Sequence, residues 1–151
     1  AGRSKVEGEV IIQTYNEKHF VLRKVLENDY SGFYAKEKAD REKMGYPPFT
    51  RIALIETKDA SIDKAKGAAY DFYKEIIKYK NYLKISDPTT AQIFKLVNNY
   101  RYHILIKSYK DKDPGGAILR KAILDSWTEF NKKSRYRDVK LFYDVDPQSI
   151  M

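Results

Sequence analysis

Asn98-Asn99-Tyr100-Arg101-Tyr102-His103-Ile104-Leu105-Ile106-Lys107 is a turn running into a strand. Asparagine tolerates positive φ, so the Asn98-Asn99 pair predicts a tight hairpin turn. Beyond it, alternation sends Tyr100, Tyr102, Ile104 and Ile106 to one face and Arg101, His103, Leu105 and Lys107 to the other. The isoleucines mark the face that packs on helices. A companion strand over 91–97 completes the hairpin. Upstream, 51–57 reads as a strand, and Ser61 or Asp63 starts a helix. Its Ile62, Ala65, Ala69, Phe72, Ile76 and Tyr79 recur every three or four residues. Downstream, Pro114-Gly115-Gly116 introduces a helix with Leu119, Ala122, Ile123, Ser126 and Phe130 on one stripe, and 139–145 closes the set as a strand.

The order β-α-β-β-α-β predicts an α+β domain of ferredoxin-like plan, an antiparallel sheet with two helices on one face. The stretch from Tyr79 to Pro88 is long for a loop and has room for a further short strand. Ahead of this domain, Val10, Ile11 and Ile12 predict a strand over 8–14, and Asn16 a helix to about Leu26. His19 falls at the start of that helix. Asp29 predicts the cap of a second helix ending at Met44, and its dense mixed charge predicts a solvated surface. Gly45 ends this helix, and Pro47-Pro48 makes a stiff joint holding the downstream domain at a fixed angle. The boundary therefore lies between residues 1–46 and 47–151.

With 42% hydrophobic residues the chain has enough apolar mass for a core. Its net charge of +8 favours acidic partners, nucleic acid first. There is no cysteine, hence no disulfide framework and no thiolate metal site. No apolar run approaches the ~18 residues of a membrane span, and a signal peptide's pattern is missing, so no membrane partner and a cytoplasmic location are expected. His19 and His103 fall in different predicted domains with no triad or paired-histidine spacing around them, so catalysis has little support. Asp144 and Asp146 share one face of the last strand; magnesium is conceivable there, but pairing with a nearby arginine or lysine, or capping the chain's end, is the favoured reading.

Binding is better supported. Arg101, His103 and Lys107 are expected on the open sheet face or its rim, with Lys95 beside the hairpin adding charge. Arginine and imidazole stack on bases and contact phosphates, which suits unpaired strands. A second basic patch, Lys132, Lys133, Arg135 and Arg137 around Tyr136, with Lys140 next, suits phosphates and one base. An independent RNA-binding domain shares the β-α-β-β-α-β order. Its third strand, however, needs small residues that Tyr100-Arg101-Tyr102-His103 lacks. A pure protein-interaction module for acidic tails is the other alternative.

Four stretches in order carry a resemblance: Ala1-Gly2-Arg3 followed by Gly8-Glu9-Val10-Ile11-Ile12-Gln13-Thr14, Gly45-Tyr46-Pro47-Pro48-Phe49, Tyr100 to Lys107, and Asp144-Val145-Asp146-Pro147-Gln148-Ser149. Together they resemble the C-terminal part of the primosomal protein N-prime family, the bacterial replication-restart DNA helicases. The resemblance implies the end of the second motor lobe followed by a C-terminal domain similar to a small ribosomal protein. It implies an ATP-dependent 3′–5′ helicase that acts at stalled forks and assembles a primosome. Arg3 would be an arginine of that helicase's ATP site, useful only with the other motor parts. ATP, magnesium and zinc are implied for the full-length helicase and no cofactor for this stretch, which has no phosphate-binding loop and is expected not to hydrolyse ATP. The implied partners are fork or single-stranded DNA, other primosome proteins, and the acidic tail of single-stranded DNA-binding protein. Arg120 and Lys121 are nominated for that tail.

Overall fold

A computed structural model describes residues 10–149 of the chain, which divides into two compact units at Asp40/Arg41. In the first unit, α1 (Phe20–Leu26) begins at His19, whose side chain accepts a hydrogen bond from the Val21 amide. The expected start at Asn16 is displaced because Asn16 instead closes a turn with its carbonyl on the His19 amide. Asp29 starts α2 (Tyr30–Met44) by accepting from the Gly32 amide at 2.8 Å. Neither helix buries a residue, as the mixed charge of α2 predicts. The expected strand over 8–14 is not formed within its described part. Residues 10–14 are irregular, and Val10 and Ile11 are exposed. A strand needs a hydrogen-bonding neighbour, and none lies beside these residues among those described.

The second unit is α+β. Its strands are β1 (Thr50–Asp59), β2 (Lys84–Ile85), β3 (Thr89–Leu96), β4 (Asn99–Tyr109) and β5 (Lys140–Val145); α3 (Ile62–Ile76) follows β1 and α4 (Ala117–Lys133) follows β4. The sheet is antiparallel in order β2-β4-β1-β5, with β3 also paired to β4. The short strand expected between 79 and 90 is β2. Both helices pack on the face that carries Ala53, Ile55, Ile104 and Ile106. The α4 residues buried there are Leu119, Ala122, Ile123, Ser126 and Phe130, the stripe read from the sequence. Each large apolar side chain so enclosed contributes about 1.5–3 kcal/mol.

Local chemistry fixes the element ends. Ser61 starts α3 by accepting from the Lys64 amide. Gly45 ends α2 at φ +61°, a conformation glycine adopts without the strain a Cβ would bring, and a Cβ would meet the Tyr109 hydroxyl at 2.8 Å. The α4 N-terminus is capped from outside the helix. The buried Asp113 carboxylate accepts from the Ile118 and Leu119 amides and from the Ser108 hydroxyl. Burial alone would raise that carboxyl; those donors outweigh it and hold it below its usual range. The hairpin turn sits one residue earlier than expected. Val97 and Asn98 occupy its centre at φ 46° and 60°, because Asn99 already pairs with Leu96.

Candidate docking and nucleic-acid surfaces

The sheet face away from the helices carries Glu56 on β1 and Arg101 and His103 on β4. Register sets Glu56 opposite His103. One carboxylate oxygen, Glu56 Oε2, accepts from Arg101 Nη2 at 2.6 Å and Nε at 2.9 Å and lies 2.9 Å from His103 Nε2. Arg101 Nη1 also donates to the Ile93 carbonyl of β3. The Arg101 side chain is 12% exposed and that of His103 8%, so neither is presented to solvent as the sequence led us to expect. Burial by itself pushes the Glu56 carboxyl up; the hydrogen bonds from His103 and Arg101, with their charge, reverse this and take it down to about 2. The physical reason for the correction is cross-strand neutralisation, which makes this trio a structural pin across β1, β4 and β3.

The other expected members of this patch are also engaged. Lys107 lies 3.9 Å from the Tyr46 ring centre and donates to the Met44 carbonyl. Burial, then the nearby Lys84, lowers its pKa. Lys95 stands opposite Tyr100 and over its ring at 5.0 Å. It therefore shares the side of Tyr100, which packs against the helix-face group of Ala65, Ala69 and Tyr102, and not the side of Arg101.

The second basic patch is exposed. Arg135 lies over the Tyr136 ring and donates to its hydroxyl, and Arg137 and Lys140 are exposed beside it. Tyr136 is seated on α3 where Gly67 leaves room: a Cβ there would stand 2.3 Å from the ring. Ser134 fastens the loop by donating to Asp71. Lys132 and Lys133 both pair with Glu129, so part of their charge is spent within α4. This loop sits on the helix layer, whereas Arg101 and His103 lie on the opposite face of the sheet. The two expected patches do not form one surface.

A third feature lies between the start of α4 and the edge strand β5. An open groove of about 400 Å³ is lined by Leu119, Ile123, Leu124, Tyr143 and Val145, with Arg51 and Arg120 among its walls. Arg120 donates to the Gly115 carbonyl, and Arg51 donates to that of Pro114 while standing 3.9 Å from Asp146. Asp146, just past the end of β5, also accepts from the Ile52 amide. Of the two nominated helix cations only Arg120 reaches this groove. Lys121 is turned away to Asp125, which also accepts from the Tyr79 hydroxyl. Arg51 was missed by sequence reasoning; its place at the start of a strand gives no hint that it meets α4. Arg3 lies outside the described residues.

No helix among the described residues is long and apolar enough to cross a membrane. The family model described as primosomal protein N C-terminal domain matches residues 42–148. The replication restart protein PriA of Thermotoga maritima is 35% identical over 102 residues, 68% of this chain and 13% of that protein. The same-named protein of Haemophilus influenzae is 32% identical over 99% of this chain and 20% of its own length. For Bacillus subtilis the figures are 29%, 100% and 18%. The chain thus spans at most a fifth of these relatives. With the matched region covering the sheet, both of its helices and the groove, the chain belongs to the primosomal protein N C-terminal domain family.

Proposed function

We propose that this chain is the DNA-binding and partner-docking C-terminal region of an ATP-dependent 3′–5′ helicase that restarts stalled replication forks. The observation that carries the docking half is the groove: an apolar floor with Arg51 and Arg120 at its walls. Such a site suits a peptide ending in an aromatic side chain and a carboxylate. The apolar group loses water against Leu119, Ile123 and Tyr143 while the acid meets two guanidinium groups. The acidic tail of single-stranded DNA-binding protein has that chemistry. In this reading the sheet unit follows the ferredoxin-like plan, which the strand order supports, and residues ahead of Pro47 close the second motor lobe. ATP, magnesium and zinc belong to the rest of such a helicase, toward which this chain offers Arg3 alone. Other primosome proteins would meet the same assembly.

The DNA-binding half rests on the exposed Arg135, Arg137 and Lys140 around Tyr136, which combine phosphate neutralisation with a stacking ring. An RNA-recognition role finds less support. The outward positions of the two central strands, from Ile52 to Lys58 and from Arg101 to Lys107, carry no Phe, Tyr or Trp, and the two planar groups there, Arg101 and His103, are held by Glu56.

The test is a titration with an acidic, Phe-terminated peptide. Arg120→Ala should weaken binding about tenfold, Lys121→Ala should leave it within about twofold, and added salt should weaken the parent. Equal affinity for Arg120→Ala and the parent removes the groove from the docking account.

A further inference from the structure

The β3–β4 turn has the wrong residue for its geometry. Both central positions lie at positive φ, the two-residue turn that favours Asn, Asp or Gly. Asn98 suits it, but Val97, at φ 46°, is β-branched, and its Cβ substituents crowd the backbone in this region. Nothing in the interior compensates, since Val97 is 84% exposed. Leu96 before it and Ile93 on the same strand are each 49% exposed. The turn is nonetheless held in place: Asn99 donates to the Val97 carbonyl at 2.9 Å, and the strand behind it, β4, pairs with β1 along ten residues. A strained, solvent-facing aliphatic tip on a stiff ribbon is disfavoured by both conformation and hydration.

Within the hairpin itself the charge has one sign. No Asp or Glu occurs from Pro88 to Lys110, which include both hairpin strands, while Lys95 stands two residues from Val97. The carboxylate across the sheet at this end, Asp59, is occupied in accepting from the Ser61 amide. An apolar tip with the Lys95 ammonium beside it fits a polyanion that offers an apolar flat surface, and the end of a base-paired duplex does so. Aliphatic side chains serve as wedges against base steps in this way.

We propose that the hairpin tip is a wedge for nucleic acid: Val97, backed by Leu96, abuts the terminal base pair where duplex meets single strand, and Lys95 holds the adjoining phosphate. The inference rests on the nucleic-acid reading above and adds a contact that none of the basic patches provides.

A forked duplex with 2-aminopurine in the junction pair tests it, using the whole chain. At saturating parent chain the fluorescence should rise by about twofold as the junction base unstacks. Val97→Asn, and Val97→Gly as a second replacement, should remove that rise while melting no earlier than the parent, because both residues accept the turn's backbone. Their affinity for single strands should match the parent's, and Lys95→Ala should weaken fork binding about threefold. A parent that saturates the fork without changing the signal overturns the wedge, and so does an unchanged signal in both Val97 variants at equal occupancy. Either result leaves the basic-loop reading standing. Failure to bind any DNA defeats both.

Discussion

Replacing Glu56 by Gln should cost about 3 kcal/mol at neutral pH, and the pH dependence of that loss should identify its cause. The carboxylate is the common acceptor for Arg101 and His103, its side chain is 16% exposed, and it titrates near 2 where 4.5 is ordinary. A carboxyl held that far down favours the folded state by about 3 kcal/mol whenever the unfolded chain would also be ionised. The sign is set by that lowering: the contribution is nearly complete above about pH 5, shrinks as acid is added below 4.5, and is gone only below about 2, once the folded state also carries the proton. Urea unfolding of parent and Glu56→Gln at a series of pH values measures it. The gap between the two curves should be widest near neutrality and narrow steadily toward pH 2. Because the trio is largely shielded from solvent, roughly half-molar salt should leave most of the gap in place. Subtracting the variant removes the acid response of other carboxylates, such as Asp113. A neutral-pH gap below about 1 kcal/mol, or a gap constant with pH, would refute the argument that this carboxylate is held by Arg101 and His103.

Two further substitutions probe how the helix layer is fixed. Asp113→Asn should destabilise the sheet unit by about 1–3 kcal/mol, because one amide oxygen replaces two carboxylate acceptors for Ser108, Ile118 and Leu119; thermal melting with helix-sensitive circular dichroism reads it. Gly67→Ala should displace Tyr136 from its seat on α3, since the new Cβ would fall 2.3 Å from the ring, and Tyr136 amide and ring NMR signals should shift while those of β4 stay put.

The regular elements of the sheet unit were legible because each has one dominant period. The α4 stripe and the alternation of Ile104 and Ile106 are fixed by the helix repeat and the pleat, and no distant residue can change which face is apolar. What escaped depends on partners far along the chain. Arg101 and His103 read as free cations since Glu56, 45 and 47 residues upstream, is invisible as a neighbour until β1 and β4 are set in register. Arg120 and Lys121 are adjacent in sequence yet about 100° apart around the helix, so only the position of β5 shows which one meets the groove. Arg51 escapes notice for the same reason. The turn was misplaced by one residue because Asn98-Asn99 has the better turn chemistry, and pairing overrode that preference in favour of Val97. The expected strand over 8–14 shows the reverse: three apolar residues in a row have the composition of a strand but no companion among the described residues.

The last turn of α2 belongs, by its bonds, to the sheet. Met44 receives the Lys107 ammonium, Gly45 accepts from the Thr50 hydroxyl, and Arg41 reaches the Pro47 carbonyl. A chain cut back to Pro47 would therefore be shorn of a clasp as well as a tether, leaving Lys107 without its carbonyl and ring partners and the buried Thr50 hydroxyl without its acceptor. Excision for separate use is better made upstream of Arg41, inside a helix, than at the prolines that look like the natural seam.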